Sequence, residues 1–171
     1  MKLDFLECGK LLSPHGVRGE IRMECYTDTP AVAAALPALF FRNEDGSYFP
    51  RRLLSARPYR EGLLVLFEAI STPEEARLLS GNTVFARRCD LDPEGKKVFL
   101  AELPGLPLID ANTGVQYGRV REVDVSRKTP LYIVDTPHGE VLFPAVNEFI
   151  KEIDIGRHIL VCPIPGIFDE I

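Results

Sequence analysis

Short runs of alternating apolar and polar residues make up most of this chain, and they predict β-strands. In residues 20–26, Ile21, Met23 and Cys25 alternate with charged residues, which is the pattern of a strand with one buried face. The same pattern predicts six strands in the first half, at residues 5–12, 20–26, 39–42, 48–56, 63–68 and 83–88. Six more are predicted in the second half, at residues 107–110, 118–125, 131–135, 140–144, 149–153 and 158–162.

Two short helices interrupt the strands of the first half. Thr72 has the hydroxyl of a helix N-cap, Pro73 suits the first helical position, and Glu75 can close a capping box. A helix is therefore predicted over residues 72–81, and an alanine-rich one over residues 29–36. Elsewhere short strands recur with little helix between them, which is typical of small β-barrels.

A polar stretch divides the chain into two parts. Residues 89–97 are rich in charge and contain Pro93 and Gly95, as linkers often do. The predicted fold class is mostly β, with two small β-barrels joined by a linker. The predicted bounds are residues 1–88 for the first barrel, 89–97 for the linker and 98–171 for the second barrel.

The net charge of the chain comes from its second half. The 171 residues include 20 Lys and Arg and 25 Asp and Glu, for a formal net charge of −5. Residues 1–97 carry 14 charges of each sign, whereas residues 98–171 carry 6 basic and 11 acidic residues. Such an acidic half repels nucleic acid and suits a basic protein partner, and the same excess also serves solubility.

Cysteine usage and hydropathy indicate a cytoplasmic protein with no metal and no cofactor. The four cysteines form no CxxC pair, which argues against a zinc site. The longest apolar run, residues 31–41, is too short to span a membrane, and the N-terminus has no signal-peptide core. No dinucleotide-binding or complete phosphate-loop motif occurs, so we expect no cofactor and no membrane partner.

The turn between the first two predicted strands concentrates binding chemistry. Residues 13–20 combine a proline and two glycines with charged groups, so the loop can hold polar side chains in a set geometry. We expect a binding loop whose histidine stacks on a base or bonds a phosphate. Its candidate residues are His15, Gly16, Arg18, Gly19, Glu20 and, on the next strand, Arg22.

Two alternatives stay open for this loop. The simpler is a tight hairpin turn with solvated polar residues. The other is an acid–base pair of His15 with Glu20 in a small hydrolase. No nucleophile has a recognisable setting, so we predict no catalytic residues and a protein that is not an enzyme.

A second group of basic residues lies on the predicted strand over residues 48–56 and just after it. Arginines beside aromatic side chains can meet the phosphates and bases of RNA. The candidate RNA contacts are Arg51, Arg52, Arg57 and Arg60, interleaved with Tyr48, Phe49 and Tyr59. The alternative is a solvated strand face paired with carboxylates elsewhere.

Several segments, taken in order, resemble the bacterial ribosome maturation factor RimM family. Residues 8–23 are similar to its N-terminal signature, a glycine-containing strand followed by an HGxxGE loop and a basic strand. Residues 144–154, with PAV followed by FIKEID, resemble its PAV…FVKEVD segment, and residues 103–106 resemble the entry to its second domain. The match runs from about residue 5 to residue 169.

This resemblance implies a fold and a role without catalysis. The fold is an N-terminal barrel like domain two of translation factors, followed by a PRC-type barrel. The role is that of an assembly factor that binds the immature small ribosomal subunit and helps its head domain and ribosomal RNA to mature. The implied partner is the basic small-subunit ribosomal protein nineteen, with Phe99, Leu103 and Gly105 as candidate contacts on a monomeric chain.

One further alternative shares the first barrel. A translation-factor accessory barrel that binds transfer RNA or a GTPase would explain the N-terminal half. It does not explain the segments of the second barrel, which belong to the resemblance described above.

Overall fold

The protein has two compact units, each built around one β-sheet. The structure, a computed structural model, describes residues 2–168. The first unit comprises residues 4–95, and the second comprises residues 96–168 together with residues 2 and 3. The predicted class is confirmed at this level, as a mostly β protein with two β-sheet domains.

Six strands form the sheet of the first unit. They are β1 (Phe5–His15), β2 (Glu20–Cys25), β3 (Ala38–Arg42), β4 (Tyr48–Tyr59), β5 (Gly62–Phe67) and β6 (Thr83–Arg87). Their order is β1-β2-β5-β4-β3-β6, and β1 also pairs with β6, which returns the sheet to its first strand. β1 and β4 each continue three residues beyond their predicted ends, so that His15 and Tyr59 lie on strands.

Three helices accompany this sheet, namely α1 (Pro30–Ala34), α2 (Pro73–Leu79) and α3 (Arg88–Leu91). The predicted capping box of α2 is present, since Thr72 Oγ1 accepts from the Glu75 backbone N–H at 3.3 Å and the Glu75 carboxylate accepts from the Thr72 N–H at 3.1 Å. α3 lies where composition predicted the start of the linker. Its Leu91 is buried, and the buried Arg88 and Asp92 side chains form an ion pair at 3.3 Å.

The second unit holds a six-stranded sheet over one hydrophobic core. Its strands are β7 (Pro107–Asp110), β8 (Gln116–Asp124), β9 (Leu131–Thr136), β10 (Gly139–Pro144), β11 (Ile150–Asp154) and β12 (His158–Val161). The order is β10-β9-β8-β7-β12-β11, in which β12 and β7 are parallel. The rings of Phe143 and Phe168 pack in the core, 5.9 Å apart between centroids. The twelve predicted strands are all present, with ends that differ by a few residues.

Two glycines let β2 lie unusually close to its neighbours. A Cβ added to Gly62 on β5 would lie 2.2 Å from the carbonyl oxygen of Met23 on β2. A Cβ added to Gly9 on β1 would lie 2.4 Å from the carbonyl oxygen of Glu24. Both distances are shorter than any side chain tolerates, so β2 is held between strands that only glycine allows to come this near.

We expect Gly62→Ala to destabilise the first unit. The added methyl group would push β5 away from the β2 backbone, and overpacking of this kind costs about 1–3 kcal/mol. Chemical denaturation should show that loss in the free energy of unfolding. Ser55→Ala, an exposed change on neighbouring β4, is the control and should leave the free energy of unfolding nearly unchanged. Equal stability of the two variants would contradict the close approach.

Candidate functional site

The turn between β1 and β2 has a rigid base and an exposed tip. His15 at the end of β1 pairs with Glu20 at the start of β2. Gly16 and Gly19 have φ angles of +64° and +83°, which favour glycine. Gly19 is buried, and a Cβ there would lie 3.1 Å from the Ile70 carbonyl oxygen. Gly19 therefore serves packing, whereas the Arg18 side chain is exposed to solvent.

Glu20 is held by an arginine from a different strand. The Arg57 guanidinium on β4 donates Nε to Glu20 Oε1 and Nη2 to Oε2, both at 3.0 Å. These hydrogen bonds hold the pKa of the Glu20 carboxyl below its usual range, and the charges of His15 and Arg18 act in the same direction. Glu20 is thus an ionised anchor for Arg57, and within residues 2–168 no side-chain hydrogen bond joins its carboxylate to the His15 ring.

Tyr59, at the end of β4, joins the histidine of the loop to the turn that follows β4. Its ring centroid lies 5.0 Å from that of His15, with 54° between the ring planes. The Arg60 guanidinium carbon lies 5.3 Å from the same centroid, within the range of a cation–π contact. Two of the predicted groups, the loop and the basic end of β4, therefore lie next to each other.

A groove of about 480 Å³ opens beside these residues. Arg22 lines it from β2, and its Nε donates to Ser13 Oγ at 3.1 Å. Tyr59 and Arg60 line it from the β4–β5 hairpin. The full lining is Leu12, Arg22, Met23, Glu24, Tyr59, Arg60, Glu61, Gly62 and Leu63. Glu61 was not among the residues predicted from the sequence. Its position in the turn between two strands is the one feature of the sequence that points to it.

The other two predicted arginines lie elsewhere on β4. The guanidinium carbon of Arg51 lies 5.6 Å from the ring centroid of Phe41 and 5.8 Å from that of Phe49. Arg52 is exposed and pairs with Ala38 on β3. Arg57 lies five positions after Arg52, a distance of about 16 Å along the strand. The four arginines therefore do not form one cluster.

The three predicted contacts of the second unit differ in exposure. Leu103 is 0% exposed and belongs to the hydrophobic core, so the expectation that its side chain meets a partner is wrong. Phe99 is half-buried, just before a 3₁₀ turn at Leu100–Glu102. Gly105 is exposed in a turn, and its carbonyl oxygen accepts from Arg119 Nη1 at 2.8 Å.

Ion pairs within the second unit occupy several of its arginines. Arg121 pairs with Asp135 at 3.0 Å and also with Glu140, and Arg157 pairs with Asp154 at 3.6 Å. Exposed carboxylates such as those of Glu122 and Glu148 take no part in these pairs. The acidic excess of this unit therefore reaches its surface.

The structure shows the state of the cysteines, and it also shows whether side chains are grouped to bind a metal ion and whether a helix could span a membrane. All four cysteines are free thiols, and burial raises the pKa of the Cys8 thiol to about 12. Among residues 2–168, no group of three or more His, Cys, Asp or Glu side chains is placed to hold a metal ion. No helix in that range is long and apolar enough to cross a membrane.

Comparison with known proteins gives matches along nearly the whole chain. The sequence model of the RimM N-terminal domain matches residues 6–91. The ribosome maturation factor RimM of Symbiobacterium thermophilum is 34% identical over 175 residues, which cover 98% of this chain and 96% of that protein. RimM of Nitratidesulfovibrio vulgaris is 29% identical over 168 residues, covering 96% and 94%. A crystal structure of a Pseudomonas aeruginosa 16S ribosomal RNA processing protein RimM is 22% identical, covers 92% of this chain and 96% of that one, and has a TM-score of 0.47.

We expect Arg57→Met to raise the pKa of Glu20 toward the usual carboxyl range. The substitution removes both hydrogen bonds and the nearest charge, whereas His15 and Arg18 keep a weaker influence. An NMR titration of the Glu20 carboxyl carbon measures the change. Arg52→Met removes the same charge from a position about 16 Å away along β4 and should leave the titration unchanged. An unaltered Glu20 pKa in Arg57→Met would contradict the bidentate pair.

Proposed function

The chain belongs to the ribosome maturation factor RimM family, and we propose that it binds the immature small ribosomal subunit and assists maturation of the head domain and processing of the rRNA. The observation that carries this proposal is the extent of the similarity. Relatives named ribosome maturation factor RimM match up to 99% of this chain and up to 99% of their own length. The similarity therefore spans both units.

We propose the same family architecture for the two units. The first unit is assigned as the translation-factor-like barrel, which its six strands and the β1–β6 pairing support. The second unit is assigned as the PRC-type barrel, supported by its six-stranded sheet and single core. The proposed domain bounds remain residues 1–88 and 98–171, with the linker at residues 89–97.

In this proposal the first unit contacts rRNA. The supporting features are the exposed Arg18 and the adjoining group of His15, Tyr59 and Arg60, which offers cations beside flat rings. Binding that favours one conformation of the head shifts its population toward that conformation. The mechanism is binding rather than chemistry, because Glu20 serves Arg57 and does not act as the partner that a catalytic His15 would need.

The second unit contacts the basic ribosomal protein nineteen in this proposal. Its exposed carboxylates support the assignment, since opposite charge steers association and favours a basic partner. Phe99 and Gly105 remain the proposed contacts near the linker. We propose a monomer that acts in the cytoplasm.

The alternatives account for less of the chain. A translation-factor accessory barrel covers only the first unit, whereas the matched relatives extend through the second. A hydrolase would require Glu20 to orient His15, and the Glu20 carboxylate is engaged at both oxygens by Arg57.

His15→Ala and Arg18→Ala should each weaken binding to immature small subunits. Arg18 is exposed in the turn and His15 lies half-buried at the end of β1, so thermal unfolding is measured for both variants, and the loss of binding should exceed what any loss of stability explains. Co-sedimentation through a sucrose gradient at physiological salt measures the bound fraction. Arg42→Ala, which removes an exposed charge from β3, is the control. Unchanged co-sedimentation of both loop variants would remove the loop from the interface.

The double charge reversal Glu122→Lys with Glu148→Lys should weaken capture of ribosomal protein nineteen. The two substitutions replace exposed carboxylates by cations, which repel a basic partner. A pull-down with the purified full chain, repeated over a range of salt concentrations, measures the effect. Glu44→Lys with Glu74→Lys makes the same change on the first unit and should leave capture intact. Equal loss in both double variants would show a net-charge effect with no localised surface.

A further inference from the structure

The groove beside Tyr59 has cations and carboxylates on its lining in equal number. Arg22 and Arg60 supply the positive charge, and Glu24 and Glu61 supply the negative charge. Its volume of about 480 Å³ lies in the range that small ligands occupy. A ligand that fills it needs both an anionic part and hydrogen-bond donors.

The two arginines of the groove are available to form an ion pair with a ligand. Arg22 donates to the neutral hydroxyl of Ser13 and makes no ion pair within residues 2–168. The described contact of Arg60 is with the ring of Tyr59, and it likewise has no carboxylate partner in that range. Arg57, Arg87 and Arg121 are by contrast each paired with an acid.

The Tyr59 ring and the Arg60 guanidinium lie against each other at this groove, and together they are the Tyr59–Arg60 platform. The guanidinium lies 5.3 Å from the ring centroid, and His15 contacts the same ring. Unpaired RNA bases stack on aromatic rings and on guanidinium planes, and such stacking is sequence-tolerant. Arg22 lines the same groove as the platform, so it is the cation available to the phosphate of a stacked base.

Arg60 adopts a backbone conformation that its residue type disfavours. Its φ is +53°, in the left-handed region where Gly or Asn is the usual residue of a hairpin turn. Strain of this kind persists at functional sites more often than elsewhere. An arginine at this position gives the turn a cation where a glycine would make a more relaxed hairpin.

The two carboxylates indicate which class of ligand, a peptide or a nucleotide, fits the groove. A basic peptide would meet Arg22 and Arg60, and an acidic peptide would meet Glu24 and Glu61. A nucleotide has a phosphate for the arginines and, on most bases, an amino group for a carboxylate. Carboxylates accept from cytosine N4, whereas uracil offers a carbonyl oxygen at that position.

From these observations we propose that the groove binds one unpaired RNA nucleotide, with its base on the Tyr59–Arg60 platform and a preference for cytosine over uracil set by Glu61. The inference rests on the proposed function, because it names the rRNA contact of the first unit. It adds that the contact is to an unpaired base rather than to a duplex backbone.

Fluorescence anisotropy with the full chain tests the proposal, using short labelled single-stranded RNAs of cytidine or uridine. The cytidine RNA should bind at least about fivefold more tightly than the uridine RNA. Glu61→Gln should reduce that preference while the protein still binds both RNAs. Arg60→Asn should weaken both RNAs by at least about fivefold, the loss expected for one stacked base.

Matched controls separate this role from a structural one. Arg42→Asn removes another arginine that lies over a tyrosine, at 6.0 Å from the Tyr48 centroid, and should change RNA affinity by less than about twofold. Arg60→Asn should unfold at a temperature no lower than the parent chain, because Asn tolerates a positive φ better than Arg. Lower RNA affinity without lower stability is a combination that a purely structural Arg60 would not give.

Three results would overturn the inference. They are equal affinity for the two RNAs, equal losses in Arg60→Asn and Arg42→Asn, and Arg60-dependent binding of a peptide by a chain that does not bind the RNAs. Co-sedimentation of the full chain with immature subunits is measured in parallel. If the chain co-sediments while these results occur, only the nucleotide site is wrong. If it does not co-sediment, the proposed function itself fails.

Discussion

The close approach of β2 to both of its neighbours is the constraint on which the site depends. Gly9 and Gly62 allow it, because any side chain at either position would collide with a β2 carbonyl oxygen. With β2 held between β1 and β5, the turn that follows β1 lies beside the hairpin that joins β4 to β5. Arg57 then reaches Glu20, and Tyr59 reaches the ring of His15. The side chains of the candidate site are thus positioned by the packing of the backbone beneath them.

The net charge of a segment does not show which of its arginines can bind a phosphate, whereas the interaction partners of each arginine do. Residues 1–97 have no net charge, yet their arginines fall into different classes once the partners are known. Arg57 is committed to a carboxylate, Arg51 lies over two aromatic rings, and Arg60 stays exposed beside Tyr59. Only the last kind of arginine is free to exchange solvent for a phosphate, because an ion pair or a buried contact must first be broken in the others.

Local pattern predicted the elements well, since alternation, capping residues and turn residues act over a few positions. The capping box at Thr72 is an example, because its partners are three residues apart. The composition of the site was harder to foresee. Joining Arg57 to Glu20 depends on strand order across 37 residues, which no short-range signal carries. Leu103 shows a different kind of error. It lies in a segment that resembles the family, and a surface contact was expected there, but its side chain packs in the core.

A factor that acts by binding can mature a subunit only if it binds one conformation more tightly than another. In the proposed function the two units supply separate contacts, one to rRNA and one to a basic protein. Linking them in one chain raises the effective concentration of the second contact, so neither has to be strong alone. A groove of mixed charge with a strained arginine suits that role. In the proposal, a groove that binds one nucleotide adds a few-fold selectivity for one state of the rRNA.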